Sequence, residues 1–143
     1  MFRTTINIHE DTLTLLSNLS VMLGTPRDLV IKSAMHLLSK EMKHRDLPQR
    51  LVQYQESDVK ENWRSLHIKL SFEQYAHFVD MRNFFKMSVS FLIALALQKY
   101  GQTLLKEKEI SDKNLFEEYF ITKKVHGGLQ YFMICWEDPK VPG

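Results

Sequence analysis

The chain has a single cysteine, Cys135, so no disulfide can close within it. Glycine and proline are scarce, with five and four in 143 residues, which excludes collagen-like and Pro/Gly-rich low-complexity structure. The longest apolar run, residues 91–97, falls far short of the roughly 18 to 20 residues that a membrane-spanning helix needs. No basic start followed by an apolar stretch marks a secretory leader. The expectation is a reducing, cytoplasmic setting without a membrane anchor. Charge of one sign is also lacking, since 19 Lys+Arg against 17 Asp+Glu leave +2. Any nucleic-acid contact must therefore come from where charges sit rather than from their sum. Catalytic signatures are missing as well: there is no Gly-rich phosphate loop, no nucleophile elbow, no HExxH and no convincing carboxylate pair. His9, His36, His44, His67, His77 and His126 show no ligand spacing, and Cys135, between Ile134 and Trp136, reads as packed rather than reactive. The expectation is a protein that is not an enzyme, with no metal and no cofactor.

What is present is an internal repeat within an ordinary globular composition of 44% hydrophobic and 25% charged residues. The segment from residue 4 (TTINIHEDTLTLLSNLSVMLGTPRDLVIKSAMHLL) overlays the one from residue 66 (LHIKLSFEQYAHFVDMRNFFKMSVSFLIALALQKY) without a gap, at an offset of 62 residues. Ile6 then matches Ile68, Ile8 matches Leu70, Leu16 matches Phe78, Leu19 matches Met81, Leu23 matches Phe85, Ile31 matches Ile93 and Ala34 matches Ala96. Identities are few; the apolar pattern is shared.

Each copy opens with period-two alternation, Ile6 and Ile8 against Thr5 and Asn7, then Ile68 and Leu70 against His67 and Lys69, which predicts a half-buried strand. A helix follows, with Leu13, Leu16, Leu19 and Leu23 on one stripe and Tyr75, Phe78, Met81 and Phe85 on its counterpart. A second helix comes after a break. In the first copy Gly24 suits a left-handed C-terminal position, and Thr25 as N-cap, Pro26 as first residue and Asp28 two further on make a capping-box-like start. In the second copy Lys86 replaces the glycine and Ser88 is the natural cap, one position later.

One strand and two helices bury too little to stand alone, so the copies must pair. An antiparallel two-stranded ribbon would send Ile6, Ile8, Ile68 and Leu70 inward onto four helices and Thr5, Asn7, His67 and Lys69 outward, with Arg3 and Ser65 further along that outer face. The fold class expected is mainly α with short β.

This strand, helix, turn and helix resemble the ribbon-helix-helix family of Arc, Met-repressor and CopG-type regulators. The likeness is carried by Gly24, Arg27, Val30 and Ile31 in the first copy and by Ser88, Ser90, Leu92 and Ile93 in the second; Pro26 and Lys86 depart from the family's turn. It implies a tandem ribbon-helix-helix pseudo-dimer, with repeats at 1–42 and 65–108, a linker at 43–64 and a C-terminal extension at 109–143. Most members form the ribbon between two chains, whereas here one chain could supply both strands. The resemblance also implies a transcription regulator or repressor that inserts the ribbon into the major groove of double-stranded DNA, contacting bases through Arg3, Thr5, Asn7, His67 and Lys69 and phosphates through Thr25, Arg27, Ser88 and Ser90. The polar row suits base edges, but any strand with one wet face carries such residues, and ordinary capping accounts for the helix-start residues too. Asp28, which puts negative charge near the first helix start, and Pro26, which lacks an N–H, weaken that clamp. The two copies differ at every outward position, so the operator expected for one chain is asymmetric. The rival reading is a protein-binding module on the same scaffold, antitoxin-like or defective in DNA binding.

The linker is expected to be plain solvated chain, long enough to return to the partner strand. Residues 89–97 are apolar almost all round, so the start of the last helix must be covered on more than one side, by the extension or by a second chain in a homodimer. In the extension, residues 112–120 could be helical, and 120–125 and 129–136 flank Gly127 and Gly128 as a β-hairpin.

Overall fold

A computed structural model describes residues 2–42, 46–48, 54–55, 59–107, 120–126 and 129–135. The chain runs β1 (Phe2–His9), α1 (Glu10–Leu23), α2 (Arg27–Ser39), a 3₁₀ turn at Lys40–Met42, β2 (Asp46–Pro48) and a second 3₁₀ turn at Lys60–Asn62. It continues through β3 (Trp63–Leu70), α3 (Phe72–Phe85), α4 (Val89–Glu107), β4 (Phe120–His126) and β5 (Leu129–Cys135). The protein is mainly helical, and β1 and β3 form a two-stranded antiparallel sheet.

Local chemistry sets the helix ends. His9 caps α1, its Nδ1 accepting the Asp11 N–H at 3.1 Å, and Glu10 and Asp11 put negative charge on the first turn. Gly24 ends the helix in the left-handed region, at φ 60° and ψ 38°. Ser71 and Gln74 close a capping box on α3: the Gln74 N–H donates to the Ser71 hydroxyl at 3.1 Å, and the Ser71 N–H donates to the Gln74 side chain at 2.9 Å. Lys86 ends α3 at φ 57° and ψ 46°, the conformation Gly24 adopts, although a Cβ makes it unfavourable.

The start of α2 differs from the expected box. Pro26 is its N-cap, with no side-chain cap bond, and the Thr25 hydroxyl donates back to the Leu23 carbonyl. At the matching place Ser88 caps α4, accepting the Phe91 N–H at 3.1 Å. Pro26 and Ser88 occupy equivalent positions, so the two helices start in step, not one residue apart; proline's fixed φ suits the chain just ahead of a helix, and its carbonyl accepts the Leu29 and Val30 amides.

Ile6, Ile8, Ile68 and Leu70 are buried beneath the β1–β3 sheet, as the alternation predicts. They share one core with Leu16, Leu19, Val30, Ile31 and Met35 from the first half and Phe78, Met81, Leu92, Ile93 and Leu97 from the second. Tyr75, read from the stripe as buried, is instead 44% exposed and lines a surface groove. Among the described residues α4 packs mainly on α2 and α1, with α3 and β1 beside it. Gly101 comes so close to α1 that a Cβ would stand 3.2 Å from Leu19 Cδ1. Within residues 89–97, Leu92, Ile93, Ala94, Ala96 and Leu97 are buried, while Val89, Phe91 and Leu95 remain partly exposed.

The linker is not plain solvated chain throughout. Asp46–Pro48 pairs antiparallel with β5, which pairs with β4, giving a second sheet in the order β2-β5-β4. Strand β3 begins at Trp63, inside the segment read as linker. The hairpin strands read at 120–125 and 129–136 correspond to β4 and β5; Phe120, read as the end of a helix at 112–120, opens β4 instead, and the rest of that helix and the Gly127–Gly128 connection lie outside the described residues.

Candidate nucleic-acid interface

The β1–β3 register brings Arg3 opposite Lys69, Thr5 opposite His67 and Asn7 opposite Ser65. All six side chains are exposed, while Ile6, Ile8, Ile68 and Leu70 at alternate positions are buried. Thr5 faces its own counterpart in the overlay, 62 residues further on. The pairing therefore has an approximate two-fold axis through that pair, marked by a 2.9 Å hydrogen bond between Thr5 Oγ1 and His67 Nδ1.

A two-stranded sheet leaves the outer edge of each strand without a ladder partner, and those amides need other acceptors. The Asn7 N–H donates to the Ser90 hydroxyl at 3.2 Å, and the Lys69 N–H donates to Asp28 Oδ2, also at 3.2 Å. Asn7 and Lys69 are equivalent in the overlay, and so are Ser90 and Asp28. Each strand edge is thus tied to the second helix of the other half. This gives Asp28 a structural task; its carboxylate holds β3. On β1 the Asn7 carbonyl also accepts from Gln55 Nε2 at 3.1 Å.

Four of the residues read as phosphate contacts divide by repeat. In the first half Arg27 is exposed, while the Thr25 hydroxyl is committed to Leu23. In the second, Ser88 and Ser90 line a groove of about 220 Å³ beside the edge of β1, with Tyr54, Tyr75 and Arg82 among its walls. Both serine hydroxyls act as acceptors toward backbone amides, which leaves each hydroxyl proton available for an outside acceptor.

Sequence reading did not find Tyr54, Gln55 or Arg82 at this surface, because nothing in a polar linker or on a helix flank marks what tertiary packing places there. The reciprocal Ser90 and Asp28 bonds had a usable signal: the gapless overlay puts them at matching positions, and each strand edge has an amide to satisfy. Among the described residues no group of three or more His, Cys, Asp or Glu side chains could hold a metal, and no helix is long and apolar enough to cross a membrane.

The fold and this surface define a small, mainly helical protein with an exposed polar row on a two-stranded antiparallel sheet. No protein-family model, curated protein or solved structure matches the chain.

Proposed function

We propose that the chain is a sequence-specific DNA-binding transcriptional regulator, a tandem ribbon-helix-helix protein that supplies both strands of its ribbon and docks them in the major groove. The supporting observation is the exposed row Arg3, Thr5, Asn7, Ser65, His67 and Lys69, set on a two-stranded sheet whose other face is buried. A two-stranded ribbon fits the major groove, and these side chains offer donors and acceptors to base edges. Phosphate contacts fall to Arg27 at one helix start and to Ser88 and Ser90 at the other, the Thr25 hydroxyl being committed to the Leu23 carbonyl.

Fluorescence anisotropy with a random-duplex pool across a salt series tests this reading. Binding that weakens with salt, with a log–log slope near −0.9 per neutralised phosphate, is expected. The variant Asn7→Ala/Lys69→Ala should lose preference for a selected site, while its main-chain amides still bond to Ser90 and Asp28. A salt-independent response, or no binding by folded protein at low salt, overturns the DNA reading and leaves the protein-binding module.

A further inference from the structure

The register determines which outward side chains stand side by side, and the ends of the row turn out chemically opposite. At one end Arg3 lies directly across from Lys69, so two cations share one rung. Like charges directly opposite each other destabilise a strand pair. Among the described residues no carboxylate forms an ion pair with either side chain. At the other end Asn7 faces Ser65, a neutral amide and a hydroxyl. Between them the Thr5–His67 bond engages the threonine hydroxyl and His67 Nδ1, and His67 Nε2 takes no part in it.

We propose that this row reads a polarised, non-palindromic duplex site, with guanines under the Arg3–Lys69 rung and an adenine under the Asn7–Ser65 rung. This rests on the DNA-binding reading and adds the orientation and base class. Guanine presents two acceptors, N7 and O6, to the major groove, which a guanidinium or ammonium donor meets and a neutral rung meets less well. Adenine presents one acceptor and one donor, which a carboxamide matches with both of its ends. The cation pair, costly in the free ribbon, is relieved where acceptors are dense. From Arg3 to Asn7 is four residues, about 13 Å of strand at ~3.3 Å each, so the two specificities fall roughly four base pairs apart at ~3.4 Å per step.

The test is selection of bound duplexes from a random pool by the full chain and by Arg3→Ala, Lys69→Ala and Asn7→Ala, with melting curves for each. The native chain should return one asymmetric motif. Arg3→Ala and Lys69→Ala should each lower the guanine preference at the same end by about tenfold. Asn7→Ala should relax the adenine at the opposite end. Neither cation variant should lower the melting temperature, since each removes a like-charge contact and keeps its backbone bonds. The exchange Asn7→Lys/Lys69→Asn should carry a guanine preference to the other end. A palindromic motif, guanines at both ends, or Asn7 and Lys69 variants acting on the same end would overturn the polarity and leave DNA binding standing. Failure of natively melting protein to enrich any duplex would overturn both.

Discussion

In the first half of the chain the second helix opens on Pro26, Arg27 and Asp28; in the second half it opens on Ser88, Val89 and Ser90, at equivalent positions. The residues share almost no chemistry, yet both helices start in step, and the third residue of each accepts an amide from the opposite strand. A few steps back, Gly24 and Lys86 share the left-handed conformation, although only one of them has the freedom for it. Inside, Leu16 and Phe78, Leu19 and Met81, Ile31 and Ile93, and Ala34 and Ala96 are buried as matched pairs. What the halves hold in common is where a side chain must be apolar and where a backbone group must be satisfied. What they do not hold in common is most of what faces water, and that is where a two-fold scaffold can acquire one-sided chemistry.

The strongest challenge to this comparison is to damage one half and ask what the other does. Leu16 and Phe78 are both essentially fully buried and belong to one continuous core. Leu16→Ala should cost about 2–5 kcal/mol and Phe78→Ala about 3–5 kcal/mol. Because α4 rests on α1 and α2, each variant should unfold the described strand-helix-helix segments together, in one denaturant transition seen alike by circular dichroism and tryptophan fluorescence. Two separable transitions, with only the damaged half shifted, would show that the halves are independent units.

A second test uses a place where the matched interiors differ in kind. His77 is buried at 1% exposure, where its counterpart Leu15 is a half-buried aliphatic. Burial, with the nearby His36 adding repulsion, lowers the His77 pKa from 6.5 to about 3. The folded chain therefore holds this imidazole neutral while the unfolded chain takes up a proton below pH 6.5. Stability is fully present above that pH and falls as pH drops toward 3, by about 2 kcal/mol at pH 5. Chemical-denaturant melts from pH 7 to 4 should show that slope, and His77→Leu should flatten it even if the variant is less stable at neutral pH. An unchanged slope in the variant would move the effect to other groups.

The overlay makes much of the common framework legible, because strand alternation and helical stripes repeat at a fixed offset and require no knowledge of how the halves meet. The outward row was readable for the same reason, since a period-two strand with one buried face defines the other. Three features were not. Tyr75 follows the stripe's spacing but sits at its margin, where three- and four-residue steps do not decide burial. Asp46–Pro48 carries no strand pattern of its own, and its pairing with β5 is a contact between distant segments. Gln55 reaches the Asn7 carbonyl from a polar linker that resembles solvated chain until an unpaired strand edge is placed beside it.

The finest test of the comparison is to exchange the turns. Lys86 stays at φ 57° because the core on either side fixes the path from α3 to α4, so the side chain bears a conformational penalty that Gly24 avoids. Lys86→Gly should therefore stabilise the protein by up to about 1 kcal/mol, less whatever the greater freedom of glycine adds to the unfolded chain. Gly24→Ala should destabilise by about 1 kcal/mol, and the reason is purely the backbone, because a Cβ at Gly24 would meet nothing within 4 Å. Opposite signs in thermal melts of the two variants would establish that both turns impose one conformation on unlike residues. Equal destabilisation would mean that the Lys86 side chain has become part of what holds the second turn, and that the halves have diverged in their framework as well as on their surface.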